Sequence, residues 1–93
     1  MLAEITEKMA DALKTRNFDG SLKFDCGDAG VIVLAEGTAS QEDRDTDCTV
    51  AISEANLVKL LAGDLKPTTA LMLGKLKVSG DMGTAMKLGQ LLS

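Results

Sequence analysis

The sequence predicts one α+β domain over residues 1–93, with about five strands in a mainly antiparallel sheet and helices packed on one face. Three observations carry that prediction. The apolar period is 3.6 residues before Asn17 and two residues after Ser21. Read in order, the chain gives a helix, about four strands, two helices, a strand and a helix, so most strands are segregated from most helices. No linker, internal repeat or low-complexity stretch divides the 93 residues, and a chain of this length buries one small core.

Leu2, Ile5, Met9 and Leu13 recur at steps of three and four, which predicts a first helix ending before Asn17 with one buried face. Asn17-Phe18-Asp19-Gly20 is a turn cluster. Leu22, Phe24 and Cys26 then alternate with Lys23 and Asp25, the period of a strand with one dry face. Gly27-Asp28-Ala29-Gly30 turns the chain into the apolar run Val31 to Ala35, a strand expected inside the sheet or covered on both faces. A short third strand is expected around 38–41, followed by an exposed loop. Cys48, Val50 and Ile52 alternate with Thr49 and Ala51 in a fourth strand. Strands joined by short turns are expected to pair antiparallel.

Ser53 is placed to cap a helix, with Glu54 favourable against the dipole at its start. Leu57, Val58, Leu60 and Leu61 form its apolar stripe, and Gly63 closes it. Pro67 suits the first turn of the next helix, because its missing N–H is one that no helix start uses. Ala70-Leu71-Met72-Leu73 follows, and Gly74 offers a stop. Lys75-Leu76-Lys77-Val78-Ser79 alternates as a strand, Gly80 breaks it, and Asp81 is placed to cap a last helix. At about 100° per residue, Met82, Ala85, Met86, Leu88, Gly89 and Leu92 share an arc of roughly 160°, with Gly83, Thr84, Lys87 and Gln90 opposite and Leu91 misplaced among these. That face is wide and soft, since methionine repacks easily.

Several blocks stand in a recognisable order and spacing: Gly63-Asp64-Leu65-Lys66-Pro67, Ala70-Leu71-Met72, Gly74 to Met82, and Ala85-Met86-Lys87-Leu88. Together they resemble the C-terminal signature of the sterol carrier protein type 2 family, and Asp47 to Ser53 resembles that family's strand before its central helix. The resemblance covers residues 47–92 closely and 18–37 more loosely. It implies a sheet whose last strand is added after the helices, with an apolar lipid tunnel between sheet and helices. It also implies binding of fatty acid, fatty acyl-CoA or sterol, and transfer between membranes or presentation to enzymes. Phe24, Val33, Ile52, Leu61, Leu71, Met72, Leu76, Met82 and Met86 are then expected to line the tunnel, with the 81–92 helix as a movable lid. The chain departs from the family at Val31 to Glu36, where members often carry a Trp-bearing strand. A straight acyl chain is accordingly expected ahead of a sterol.

Composition excludes other classes. There is no histidine, so the commonest general base and any Ser-His or Cys-His pair are missing. Cys26 and Cys48 form no CxxC and read as small buried apolar residues. Gly74-Lys75 fails the phosphate-loop pattern, with Thr69 and Leu76 in the wrong places. Glu42, Asp43 and Asp45 lack the spacing, glycine and closing Glu of an EF-hand, so no metal is expected. No enzyme activity and no cofactor are expected.

The net charge of −4 argues against nucleic acid. It is unevenly spread, at −6 over residues 1–52 and +2 over 53–93. The second half fits either a plain solvated face or a transient contact with anionic membrane headgroups. No signal-peptide pattern, no apolar run of about 18 residues and no peroxisomal C-terminal tripeptide is present. A cytoplasmic chain of prokaryotic type, monomeric or weakly dimeric, is expected. The competing expectation is an interaction module of the same fold with a collapsed cavity, dimerising through the last helix.

Overall fold

The computed structural model describes residues 2–15 and 20–92, and all but Gly20 of the turn expected at 17–20 lies outside them. Helix α1 (Leu2–Thr15) buries Leu2, Ile5, Met9 and Leu13, the stripe its period foretold. Strands β1 (Ser21–Asp25) and β2 (Val31–Ala35) pair antiparallel around a short 3-10 turn. Strand β3 (Thr38–Ser40) then pairs antiparallel with β2. The two-residue connection Glu36-Gly37 has positive φ at both positions, 54° and 75°. That is the turn whose twist matches a hairpin, and Gly37 adopts it without a Cβ penalty.

Strand β4 (Cys48–Ile52) differs from the antiparallel expectation: it lies beside β1 and runs parallel to it, Leu22 opposite Cys48. The reason is the connection. Residues 41–47 carry no regular structure, and seven extended residues reach about 25 Å. That is enough to return the chain to the starting end of the sheet. This crossing passes the sheet's back: Lys23, cross-strand partner of Val33, holds Asp43 of the connection at 2.6 Å. After helices α2 (Glu54–Ala62) and α3 (Pro67–Met72), strand β5 (Leu76–Gly80) pairs antiparallel with β4, and helix α4 (Met82–Leu92) follows. The sheet order is β3-β2-β1-β4-β5. Three of its four pairings are antiparallel.

Register decides the core. Leu22, Phe24, Ile32, Leu34, Cys48, Val50, Ile52 and Leu76 share the helix-side face and join the apolar stripes of the helices in one cluster. From α2 the cluster takes Leu57 and Leu60, with Leu61 half-buried against it, whereas Val58 faces solvent. Ser53 caps α2 by accepting the Asn56 N–H at 3.2 Å, and Gly63 closes it in the left-handed region. Among the described residues no helix is long and apolar enough to cross a membrane.

Candidate functional site

A cavity of about 290 Å³ opens beside the β5 edge, between α3, α4 and the sheet. Strand period builds one wall. Leu76 and Val78 point inward from β5 while Lys77, between them, points to the sheet's back, and Val50 of β4 stands directly across from Val78. Helix period builds the other walls. Pro67, Thr68 and Leu71 fall on one face of α3, and Met82, Ala85 and Met86 on one face of α4, with Leu88 behind them. Nine of these ten lining residues are apolar, and Thr68 alone carries a hydroxyl. The cavity can therefore hold an apolar body but offers almost nothing to bind a polar one.

The start of α4 is fixed by a set of short bonds. Asp81 accepts the Gly83 N–H at 2.9 Å and the Thr84 hydroxyl at 3.0 Å. Its own N–H donates to the Asp47 carbonyl at 2.9 Å. Asp47 in turn accepts the Ser21 N–H at 3.0 Å and donates its N–H to Ser21 Oγ at 2.8 Å. Thr84 consequently differs from its expected outward position and is only 4% exposed. Its hydroxyl is satisfied by Asp81, and its side chain closes over Gly20. That rotation of α4 leaves Met82 and Met86 at the cavity mouth, 53% and 73% exposed, instead of under the helix.

The Thr84 hydroxyl, then the Gly83 N–H, hold the Asp81 carboxyl below the usual aspartate range, with Lys87 adding a smaller pull. A carboxylate whose native pKa is depressed supports the fold above its unfolded pKa, and that support disappears as pH falls through the native pKa. Acidification into that window is therefore expected to lower the melting temperature of the wild type more than that of Asp81→Asn. Parallel pH titrations of thermal unfolding check this, and equal slopes would remove Asp81 from the account.

Of the nine residues expected to line a tunnel, Leu71, Leu76, Met82 and Met86 line this cavity. Phe24 and Ile52 are interior residues of the core cluster, and Leu61 packs against that cluster from α2. Val33 is buried on the sheet's opposite side, since its cross-strand partner is Lys23. Met72 ends α3 and is 83% exposed. Sequence reasoning missed Val50, Pro67, Thr68, Val78, Ala85 and Leu88. Two of these were within reach: Val78 shares the inward phase of Leu76, and Thr68 lies one helical turn before Leu71.

A second, more open depression near Asp25, Cys26, Ser53 and Lys75 mixes polar and apolar groups. Burial pushes the Cys26 thiol up, and Glu54 and Asp25 push it further. Burial does the same for Cys48, with Asp81 and Asp47 adding to it. Both thiols are thus held in their less nucleophilic form. No group of three or more Cys, Asp or Glu side chains able to hold a metal occurs among the described residues.

A family model described as the SCP-2 sterol transfer family matches residues 2–93. The chain belongs to this family. Sterol carrier protein 2 of Gallus gallus is 45% identical over 53 residues, 57% of this chain and 10% of that protein. The chain spans about a tenth of the length of the curated relatives it matches. Sterol carrier protein 2 like 2 of Aedes aegypti has a crystal structure that superposes with a TM-score of 0.81. It is 21% identical, and the match covers 96% of this chain and 94% of that one. Sterol carrier protein-2 of Aedes aegypti, solved in complex with the C16 fatty acid palmitate, gives 0.80 at 18% identity over 97% and 92% of the two chains. At such identities these structures establish a common fold. This SCP-2 family chain completes its sheet with a strand that follows the central helices.

Proposed function

We propose that this domain binds a single acyl chain, free or as its coenzyme A thioester, without catalysis and carries it as a monomer between membranes. The observation that supports this is the cavity beside β5, apolar at nine of ten lining residues. Its volume, about 290 Å³, lies at the small end of the roughly 300–1,000 Å³ usual for ligand sites. A slender flexible chain enters such a space by displacing Met82 and Met86, whereas a rigid sterol ring system needs more room at once. The palmitate complex of the Aedes aegypti relative supports the same ligand class. Helix α4 is the lid in this reading, anchored at Asp81 and Asp47 and free to tilt about that end, with Gly83 and Gly89 lowering its stiffness. The lack of histidine, together with two thiols held protonated, favours a carrier over an enzyme.

A ligand that binds only the folded state stabilises it by about 2.7 kcal/mol at a hundredfold excess over Kd. Palmitate is therefore expected to raise the melting temperature by roughly 10 °C or more. Native mass spectrometry of gently purified protein is expected to show a co-purified fatty acid or acyl thioester. A ligand-free mass with no thermal shift from any acyl chain would overturn the proposal in favour of an interaction module.

A further inference from the structure

The described residues leave one edge of the sheet open. Strand order puts β3 and β5 at its ends, and α1 packs against β3. On β5, Lys77, Ser79 and Gly80 are exposed, and Val78 is half-buried. The bond from the Asp81 N–H to the Asp47 carbonyl fixes the phase of this strand. In an antiparallel pair, opposed residues that exchange hydrogen bonds alternate with opposed residues that do not. Ser79 and Lys77 therefore bond to Thr49 and Ala51, whereas Gly80, Val78 and Leu76 turn their N–H and C=O groups to the free side. No hydrogen bond among the described residues takes up that row of main-chain groups. Such a row is a template for one more strand.

Side-chain phase decides what that strand carries. Leu76 and Val78 point into the cavity, beside the exposed Leu71, Met82 and Met86. A strand laid against them turns every second side chain to the same side, so apolar residues there cover apolar surface that is now wet. Lys77 points to the sheet's back, and Lys75 precedes it in the same phase. Both lysines are exposed, and neither forms a salt bridge among the described residues. Along its row Lys77 has Ala51 and then Asp25, which makes no ion pair with it. Opposite charges on adjacent strands attract and like charges repel, so the remaining residues of the added strand are acidic. A second copy of β5 would instead bring the same two lysines to the seam.

We infer that the free edge of β5 takes up an extended segment of a partner protein as a sixth strand, with apolar residues facing the cavity mouth and acidic residues beside Lys75 and Lys77. Such docking requires no cargo and so stands apart from the acyl-carrier reading.

The peptide acetyl-Val-Glu-Val-Glu-Val-Glu-amide, added to the full chain at about 1 mM, tests it through amide hydrogen exchange read residue by residue. The Lys77 and Ser79 amides are expected to be protected with or without peptide. Those of Leu76, Val78 and Gly80 are expected to exchange fast in the free chain and about tenfold more slowly with peptide. Lys75→Glu with Lys77→Glu is expected to weaken binding by about tenfold. That variant is expected to bind the same peptide with Lys in place of Glu, which separates lost charge from lost fold. Lys66→Glu with Lys87→Glu makes the same change of net charge at exposed positions, at the start of α3 and on α4. It is expected to change binding by less than about twofold. No slowing, slowing without the alternation, or equal loss in both charge variants overturns the inference. So does concentration-dependent dimerisation of the chain alone, which would assign the edge to a second copy.

Discussion

Gly80→Ala is expected to lower the melting temperature by at least about 10 °C and to loosen α4 from the sheet. Gly80 ends β5 at φ +91°, where a side chain is disfavoured, and the left-handed region costs a residue with a Cβ about 1–2 kcal/mol. A Cβ built there would also stand 2.5 Å from the Asp47 carbonyl oxygen and 2.9 Å from Cys48 Cα. Both neighbours are backbone, so neither can rotate away, and overpacking adds about 1–3 kcal/mol. The damage falls on the Cys48–Gly80 rung and on the adjacent Asp81–Asp47 bond that fixes α4. Gly74→Ala separates the two causes: φ is +72° there as well, but the space is open. It is expected to cost only the conformational part, so similar melting temperatures for the two variants would show that the close approach at Asp47 is unimportant.

Phe24→Ala is expected to be the most damaging single truncation. Phe24 is fully buried at the centre of the sheet, between Ile32 on β2 and Val50 on β4. Truncating a buried Phe costs about 3–5 kcal/mol. A domain of this size is held by roughly 5–14 kcal/mol, so a large share of its stability would go. Aliphatic neighbours cannot refill the space of a ring without moving strands. Denaturant unfolding is expected to show a lower midpoint or no cooperative transition at all, while Phe24→Leu keeps a cooperative fold. Palmitate should partly restore the truncated variant, because Val50 joins this core to the cavity wall.

Elements whose signals are local were legible in the sequence. The Gly80-Asp81 break, the cap on α4, Pro67 at the start of α3 and the inward phase of Leu76 all depend on neighbours within a few residues, and the structure has each of them. Features set by distant partners were not. The parallel β1–β4 pairing depends on where residues 41–47 cross, and no period in either strand encodes that. Helical angle puts Thr84 opposite the apolar arc, yet Asp81 satisfies its hydroxyl from three residues away and lets it be buried. The resemblance puts Met72 in the tunnel lining, but α3 is only six residues long and buries Ala70 alone. The cavity was thus visible in three of its seven helical lining residues, while its floor at Val50 depended on strand order.

The β1–β4 pairing has a kinetic consequence. The β1–β2–β3 meander closes only short loops, of the kind that forms within microseconds. Joining Leu22 to Cys48, and then Ile52 to Leu76, closes longer ones at higher entropic cost. The cavity walls belong to these late contacts, and the start of α4 is fixed only when Asp47 and Asp81 meet. Cargo therefore grips what forms after the folding barrier. It should lengthen the lifetime of the native chain by slowing unfolding, and leave the rate of folding almost untouched.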